Sequence, residues 1–442
     1  MREVQWMRAF VITVLLFLGA AMGWAQEDGF PMFYFTTPMS LQSGRDFGVQ
    51  YGAQKVDDTT MLLTAPTFTL GKLSTRNDFS MTYQSQLELF THYGHLSSWN
   101  HEAGFNWHHK LAPRWSIDTG NLFVATRDEN LRFDSAFLLP RGPYKSNSFD
   151  LKLNYNWSPR TRMKVYFDNS FVSFREDFVT RPLFFNRLVN TYGVSADHRF
   201  SPKSKLAAEY SYMTGHSFDK YDTFGFPVGP TTPSHVAFLT YDYNLTPSLL
   251  LETSGGYVRN AVNSYVFSGL VEKKFDRLVI GGGYSRYVSV LGTPATPGIE
   301  AISGVLGGQS LPPNTINDSA SLRVKGDVST RVNLEVTLAG TRTTGLQNQN
   351  LRGMLAGLRV TYRFADHLAF FWSAQFLGQN ANAILPESIS RKRVFFGIEY
   401  TFWPTAEAVA RQRAAYSDSK DKIPVSGNET TRINGAAEED KD

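Results

Sequence analysis

The sequence predicts an all-β chain wound as a transmembrane antiparallel up-and-down β-barrel of about 16–18 strands. Three observations lead there. Apolar and polar residues alternate one by one in many short segments between residues 47 and 402. Tight turns carrying Pro or Asp take turns with longer, more varied connections. The one long apolar run lies at the start of the chain and is short for a bilayer-spanning helix. Across 442 residues the mean hydropathy is −0.27. A membrane wall of this composition is built from strands whose polar, inward residues dilute the hydropathy.

In chain order, Met1–Ala25 has Arg2 and Arg8 ahead of an apolar stretch, then Gly23-Trp24-Ala25. A charged start, an apolar centre and small residues predict a signal peptide cut after Ala25. Residues 26–46, with Gly and Pro, read as an exported N-terminal segment, flexible or folded into a lumen. The barrel is expected over residues 47–402. Phe47, Val49 and Tyr51 share a parity and suggest a first strand. Thr60–Lys72 is a weaker second strand, because Pro66 removes a ladder donor. Phe79, Met81, Tyr83, Leu87 and Leu89 then alternate with Ser, Thr, Gln and Glu.

From there the chain reads as repeated hairpins. Short turns start at Leu111 (L-A-P-R-W), Trp157 (W-S-P-R-T-R), Phe200 (F-S-P-K-S-K) and Leu245 (L-T-P-S-L). Others start at Lys274 (K-F-D-R-L), Val328 (V-S-T-R-V) and Phe364 (F-A-D-H-L). Longer connections span roughly residues 126–146, 174–190, 215–234, 291–315 and 378–390. The connection 291–315 is nearly uncharged and rich in small residues; a constriction inside the bore and an ordinary surface loop both fit it.

The final strand, R-V-F-F-G-I-E-Y-T-F over Arg393–Phe402, sets Val394, Phe396, Ile398, Tyr400 and Phe402 on one face. Alternation repeated behind a leader and ending in an aromatic resembles the bacterial outer-membrane β-barrels, porin-like members in particular. The resemblance implies short turns in the periplasm. It also implies that Phe396, Ile398, Tyr400 and Phe402 form the terminal-strand signal read by the barrel assembly machinery. Residues 403–442 are polar and end in E-E-D-K-D, which predicts a mobile periplasmic tail.

The polar parity supplies candidate lumen charges: Lys110, Lys152, Arg162, Lys164, Arg331, Arg359, Arg363 and Arg393, with Glu88, Asp150, Asp168, Glu335 and Glu399. Charges along a wet bore bias ion passage; on a polar wall they also pair across strands and stiffen it. The expected function is passive diffusion of small polar solutes. The alternative is a non-conducting structural, assembly or export-conduit barrel whose tail meets a periplasmic partner. Partners expected are outer-membrane lipid, the assembly machinery, small polar solutes and, by the porin resemblance, further copies of the chain.

A net charge of +4 gives no nucleic-acid footprint. There is no Cys, so disulfides and thiolate metal sites are excluded. No cofactor and no metal site are expected. His92, His95, His101, His108 and His109 lie close in sequence, but His108 and His109 point to opposite faces of a strand. No nucleophile-elbow, zincin or phosphate-loop motif is present, and no enzymatic activity is expected.

Overall fold

The structure, a computed structural model, describes residues 30–51, 54–74, 76–127, 143–174, 186–218, 233–260, 263–290, 293–294, 315–344, 350–380 and 388–403. The expected signal peptide, all residues after Trp403 and most of the connection 291–315 lie outside the described residues. The strands are β1 Phe30–Phe35, β2 Met39–Tyr51, β3 Gln54–Thr64, β4 Phe68–Leu73, β5 Asn77–Phe90, β6 Ser98–Ala112 and β7 Trp115–Thr126. Next come β8 Tyr144–Ser158, β9 Thr161–Phe174, β10 Arg187–Ser201, β11 Ser204–Ser217, β12 Ser234–Thr246, β13 Leu249–Arg259 and β14 Ser264–Lys274. The last are β15 Leu278–Val290, β16 Thr293–Pro294, β17 Thr315–Asp327, β18 Val332–Thr344, β19 Asn350–Ala365, β20 Leu368–Gln379 and β21 Ile389–Tyr400.

Every pairing is antiparallel, and β21 pairs with β2, so the sheet closes on itself as an 18-stranded wall. Closure removes the free edges that a sheet of this size would otherwise expose. β1 and β4 are continuations of β2 and β3 rather than extra strands: they pair with each other, and β4 prolongs the β3 ladder along β5; β16 is a two-residue segment that pairs with β15 and is not a wall strand. The interruptions fall at Thr36–Pro38 and Ala65–Thr67, where Pro38 and Pro66 lack an N–H. The two breaks lie side by side, held by Thr36 N donating to Thr67 O at 3.1 Å and by the Thr37 and Thr67 hydroxyls 2.9 Å apart. Among the described residues the wall therefore starts at Phe30, inside the segment that the sequence assigns to an export extension.

Strand registers fix the size of the wall. Followed once round from β2 back to β2, they accumulate an offset of about 22 residues. For eighteen strands that offset corresponds to a tilt of about 40° and a backbone diameter of about 35 Å. Side chains from facing strands cannot fill such a width.

The alternating pattern resolves into two faces. Leu151, Val165, Val194, Leu239, Leu338, Met354 and Phe396 are exposed and point away from the bore. At the short-turn rim the strand register skips one residue before five turns: Leu111, Trp157, Phe200, Leu245 and Phe364 are the bulged residues. Each is more than half exposed. A bulge at a barrel rim re-aims its side chain, so the apolar residue before each turn belongs to an outward collar at the level of an interfacial girdle.

One alternation misleads. β2 slips against β3 between Asp46 and Val49, at Gly48 with φ +73°. Phe47 stays exposed, but Val49 is fully buried against Val56. The parity read from the sequence joins these two residues; the bulge separates them.

Candidate functional site

The inward face is polar and charged, and its charges fall into patches that the closed register assembles. On β17–β21 it presents Arg323, Lys325, Arg359, Arg363, Arg391 and Arg393 against Asp327, Glu335 and Glu399. Arg323 pairs with Glu335 and Arg359 with Glu399, while Arg363 reaches Asp327 at 3.0 Å. The Arg359 guanidinium also lies 3.9 Å from the centre of the Phe371 ring. On β8–β12, Lys152 pairs with Asp150 at 3.2 Å, Arg162 with Asp197 at 3.2 Å and Lys205 with Asp242 at 3.0 Å. Lys164 sits 4.7 Å over the Tyr166 ring, and Tyr166 donates to Glu209. Asp168 stands directly across from Asp150, with Lys152 and Lys164 nearby in the same wall.

Several predicted lumen charges thus have a partner of opposite sign: Arg162 and Glu335 one strand away, Lys152 on its own strand, and Arg359 and Arg363 two strands away. Four are placed differently from an open wall. Arg331 lies in the turn between β17 and β18, not on a strand. Lys110 is exposed at the end of β6, close to a short turn. Glu88 is buried, where Ser98 Oγ donates to it at 3.3 Å. Arg393 is buried at the seam: its Nε donates to Asp46 at 3.2 Å, beside Arg391, whose Nε donates to the same carboxylate at 2.8 Å. Asp46 in turn lies across from Asp58, which accepts from the backbone N–H groups of Thr59, His92 and Tyr93 and contacts the His92 ring at 2.7 Å. Two carboxylates and two guanidiniums therefore balance inside the joint between first and last strand, which is the condition for burying charge at modest cost.

Alternation already sets Phe395 on the polar parity as its one large exception, but misses Phe371; both are inward and buried. Each has a glycine directly across the ladder: Gly397 opposite Phe371 and Gly44 opposite Phe395. A Cβ at Gly397 would lie 2.4 Å from the Phe371 ring, so the glycine makes the ring's place. The signal is a large–small pair across strands, readable only once register is known. The histidines separate as well. His108 faces inward onto Asp118, while His109 bonds Asn77 at 2.6 Å and stacks on Trp107.

The bore differs between its ends. Inward residues near the short turns, such as Arg162, Lys325 and Arg363, are exposed. Those near the long connections, such as Ser146, Ser211, Ser234, Asn317 and Thr343, are buried. Val189, Met213, Val236, Phe238, Val258 and Val266 form an apolar cluster at that level on β10–β14. On the last strand Phe396, Ile398 and Tyr400 are exposed on the outward face, and Phe402 packs on Tyr400 and on Phe35 with ring centres 4.9 and 5.2 Å away.

A closed wall with an apolar outside, a polar inside and a width beyond side-chain filling is a transmembrane β-barrel of the outer-membrane class. No protein-family model matches the chain, and no curated protein does. Among solved structures it is similar to OccAB3 of Acinetobacter baumannii, at 12% identity and a TM-score of 0.47, covering 85% of this chain and 99% of that one. OpdQ of Pseudomonas aeruginosa matches at 10% identity and a TM-score of 0.46, covering 85% and 99%. OccK7 of Pseudomonas aeruginosa matches at 11% identity and a TM-score of 0.47, covering 84% and 98%.

Proposed function

We propose that the protein is a passive outer-membrane channel for small polar solutes, with the short-turn rim in the periplasm. The observation that carries this reading is the inward face: charged, paired residues line a wall too wide to be filled, and the end nearest the short turns is open to solvent. The lining is mixed in sign, with cations in excess on β17–β21. A solute moving along it passes arginines already held by carboxylates, so the wall offers fixed hydrogen-bonding groups rather than free counter-charge. Arg359, Glu399, Arg323 and Glu335 are the residues we assign to that field. The exposed Phe396–Ile398–Tyr400 face is assigned to recognition by the assembly machinery.

The test is single-channel recording of the purified full-length protein in a planar bilayer. Stepwise conductance is expected. Arg359→Glu, which reverses a charge in the basic patch, shifts the reversal potential toward cation selectivity. Silence at high protein density, with correctly folded barrels in the membrane, refutes the channel.

A further inference from the structure

The outward face of the wall is charged at one rim. Arg45, Arg259, Arg342, Arg352 and Lys392 face outward within a few residues of the long-connection ends, and all are exposed. Among the described strand residues on that face the carboxylates are Asp57 and Asp318 alone, and Asp57 accepts from Gly48 N at 2.7 Å. Three of these charges stand in one cross-strand row with Arg286: Arg286 is opposite Asp318, Asp318 opposite Arg342, and Arg342 opposite Arg352. Asp318 is already engaged, by Arg286 at 3.6 Å and by the Tyr284 hydroxyl at 2.7 Å. Arg342 and Arg352 are therefore left facing each other, with no carboxylate of the described residues within ion-pair distance. Like charges directly opposite on a sheet destabilise it unless an anion lies between them.

Leu338 and Met354, two to four positions along the same strands toward the middle of the wall, are exposed and apolar. A ligand meeting both features carries phosphate at one end and acyl chains at the other. We infer that Arg342 and Arg352, flanked by Arg286, bind the phosphate of an anionic outer-leaflet lipid whose chains lie along Leu338 and Met354. Guanidinium groups suit this task because they grip phosphate oxygens in pairs. The inference concerns the outer surface and holds whether or not the bore conducts.

The experiment uses the full-length protein in detergent micelles and two probes with the same acyl chains: bisphosphorylated lipid A and its dephosphorylated form. Retention is read by native mass spectrometry. The phosphorylated lipid is expected to bind tighter by on the order of tenfold or more. Arg342→Gln with Arg352→Gln removes that preference, and Arg342→Lys with Arg352→Lys keeps part of it. Asp318→Asn, which deletes the only carboxylate of the row, raises affinity for the phosphorylated probe. Inorganic phosphate at millimolar concentration does not displace the lipid. Equal binding of both lipids by the parent protein, or a preference that survives in the glutamine pair, overturns the inference. Unboiled gel mobility reports whether each variant is folded. If the glutamine pair does not fold, Asp318→Asn decides: unchanged or weaker binding overturns the inference.

Discussion

Replacing Asp46 by Ala tests the joint that turns a sheet into a barrel. Arg391 and Arg393 are 2% and 5% exposed and share the Asp46 carboxylate, itself 1% exposed. The three side chains lie on β2 and β21, whose nine-residue register from Met39 to Phe47 is, among the described residues, the one ladder between chain start and chain end. Truncation leaves two guanidiniums inside the wall without the carboxylate they share. Removing one partner of a buried charge set costs about 3–5 kcal/mol, which moves the folding equilibrium by more than about 100-fold. Asp58 stays in place beside the gap, yet its oxygens are committed to Thr59, His92 and Tyr93, so it does not swing over at no cost. The assay is urea unfolding in phospholipid vesicles, followed by tryptophan fluorescence and by mobility of unboiled protein on gels. The expected result is a lower midpoint with an unchanged slope. A triple variant, Asp46→Leu with Arg391→Met and Arg393→Leu, is expected to regain most of the loss, because the carboxylate and both guanidiniums that share it are removed together, while Asp58 keeps its own donors on Thr59, His92 and Tyr93. If Asp46→Ala unfolds within about 0.5 kcal/mol of the parent, the seam is not held by this carboxylate and the reasoning fails.

Three further outcomes follow from single contacts. Gly48→Val places a β-branched residue at φ +73° with its Cβ 2.1 Å from Ser390 O, so it should destabilise the β2 bulge by about 2 kcal/mol or more, seen in the same unfolding assay. Gly397→Val drives its side chain into the Phe371 ring and displaces it from Arg359; the expected readout is altered single-channel conductance with an intact barrel, and unchanged conductance argues against Phe371 lining the path. Leu338→Arg, near the middle of β18 on the outward face, should cost about 2–4 kcal/mol in vesicles; a cost near zero would mean that this face does not meet lipid.

Much of the wall is legible in the sequence because a strand's two faces are written at a period of two, and each face meets a different solvent. The residues before the short turns, from Leu111 to Phe364, are likewise visible as a recurring apolar–turn pattern, although that they are bulges is not. What alternation cannot carry is a change of phase. At Gly48 one extra residue turns Val49 inward, and at Pro66 the strand read as Thr60–Lys72 is interrupted and its parity flips, from Leu62 inward to Thr69 and Gly71 inward.

The sequence by itself determined an antiparallel all-β wall of about the right strand number, with greasy and polar faces correctly sorted along most strands. Only the tertiary structure decided that β21 meets β2 across the ends of the chain, and hence that Asp46 meets Arg391 and Arg393; it also set the hairpin registers in which Gly397 makes room for Phe371 and Arg342 faces Arg352. The physical reason is that alternation is a local property of one backbone. Register, closure and cross-strand pairing instead arise from hydrogen bonds between segments, a hairpin apart along most of the wall and hundreds of residues apart at the β2–β21 seam, and nothing in either segment alone records its partner.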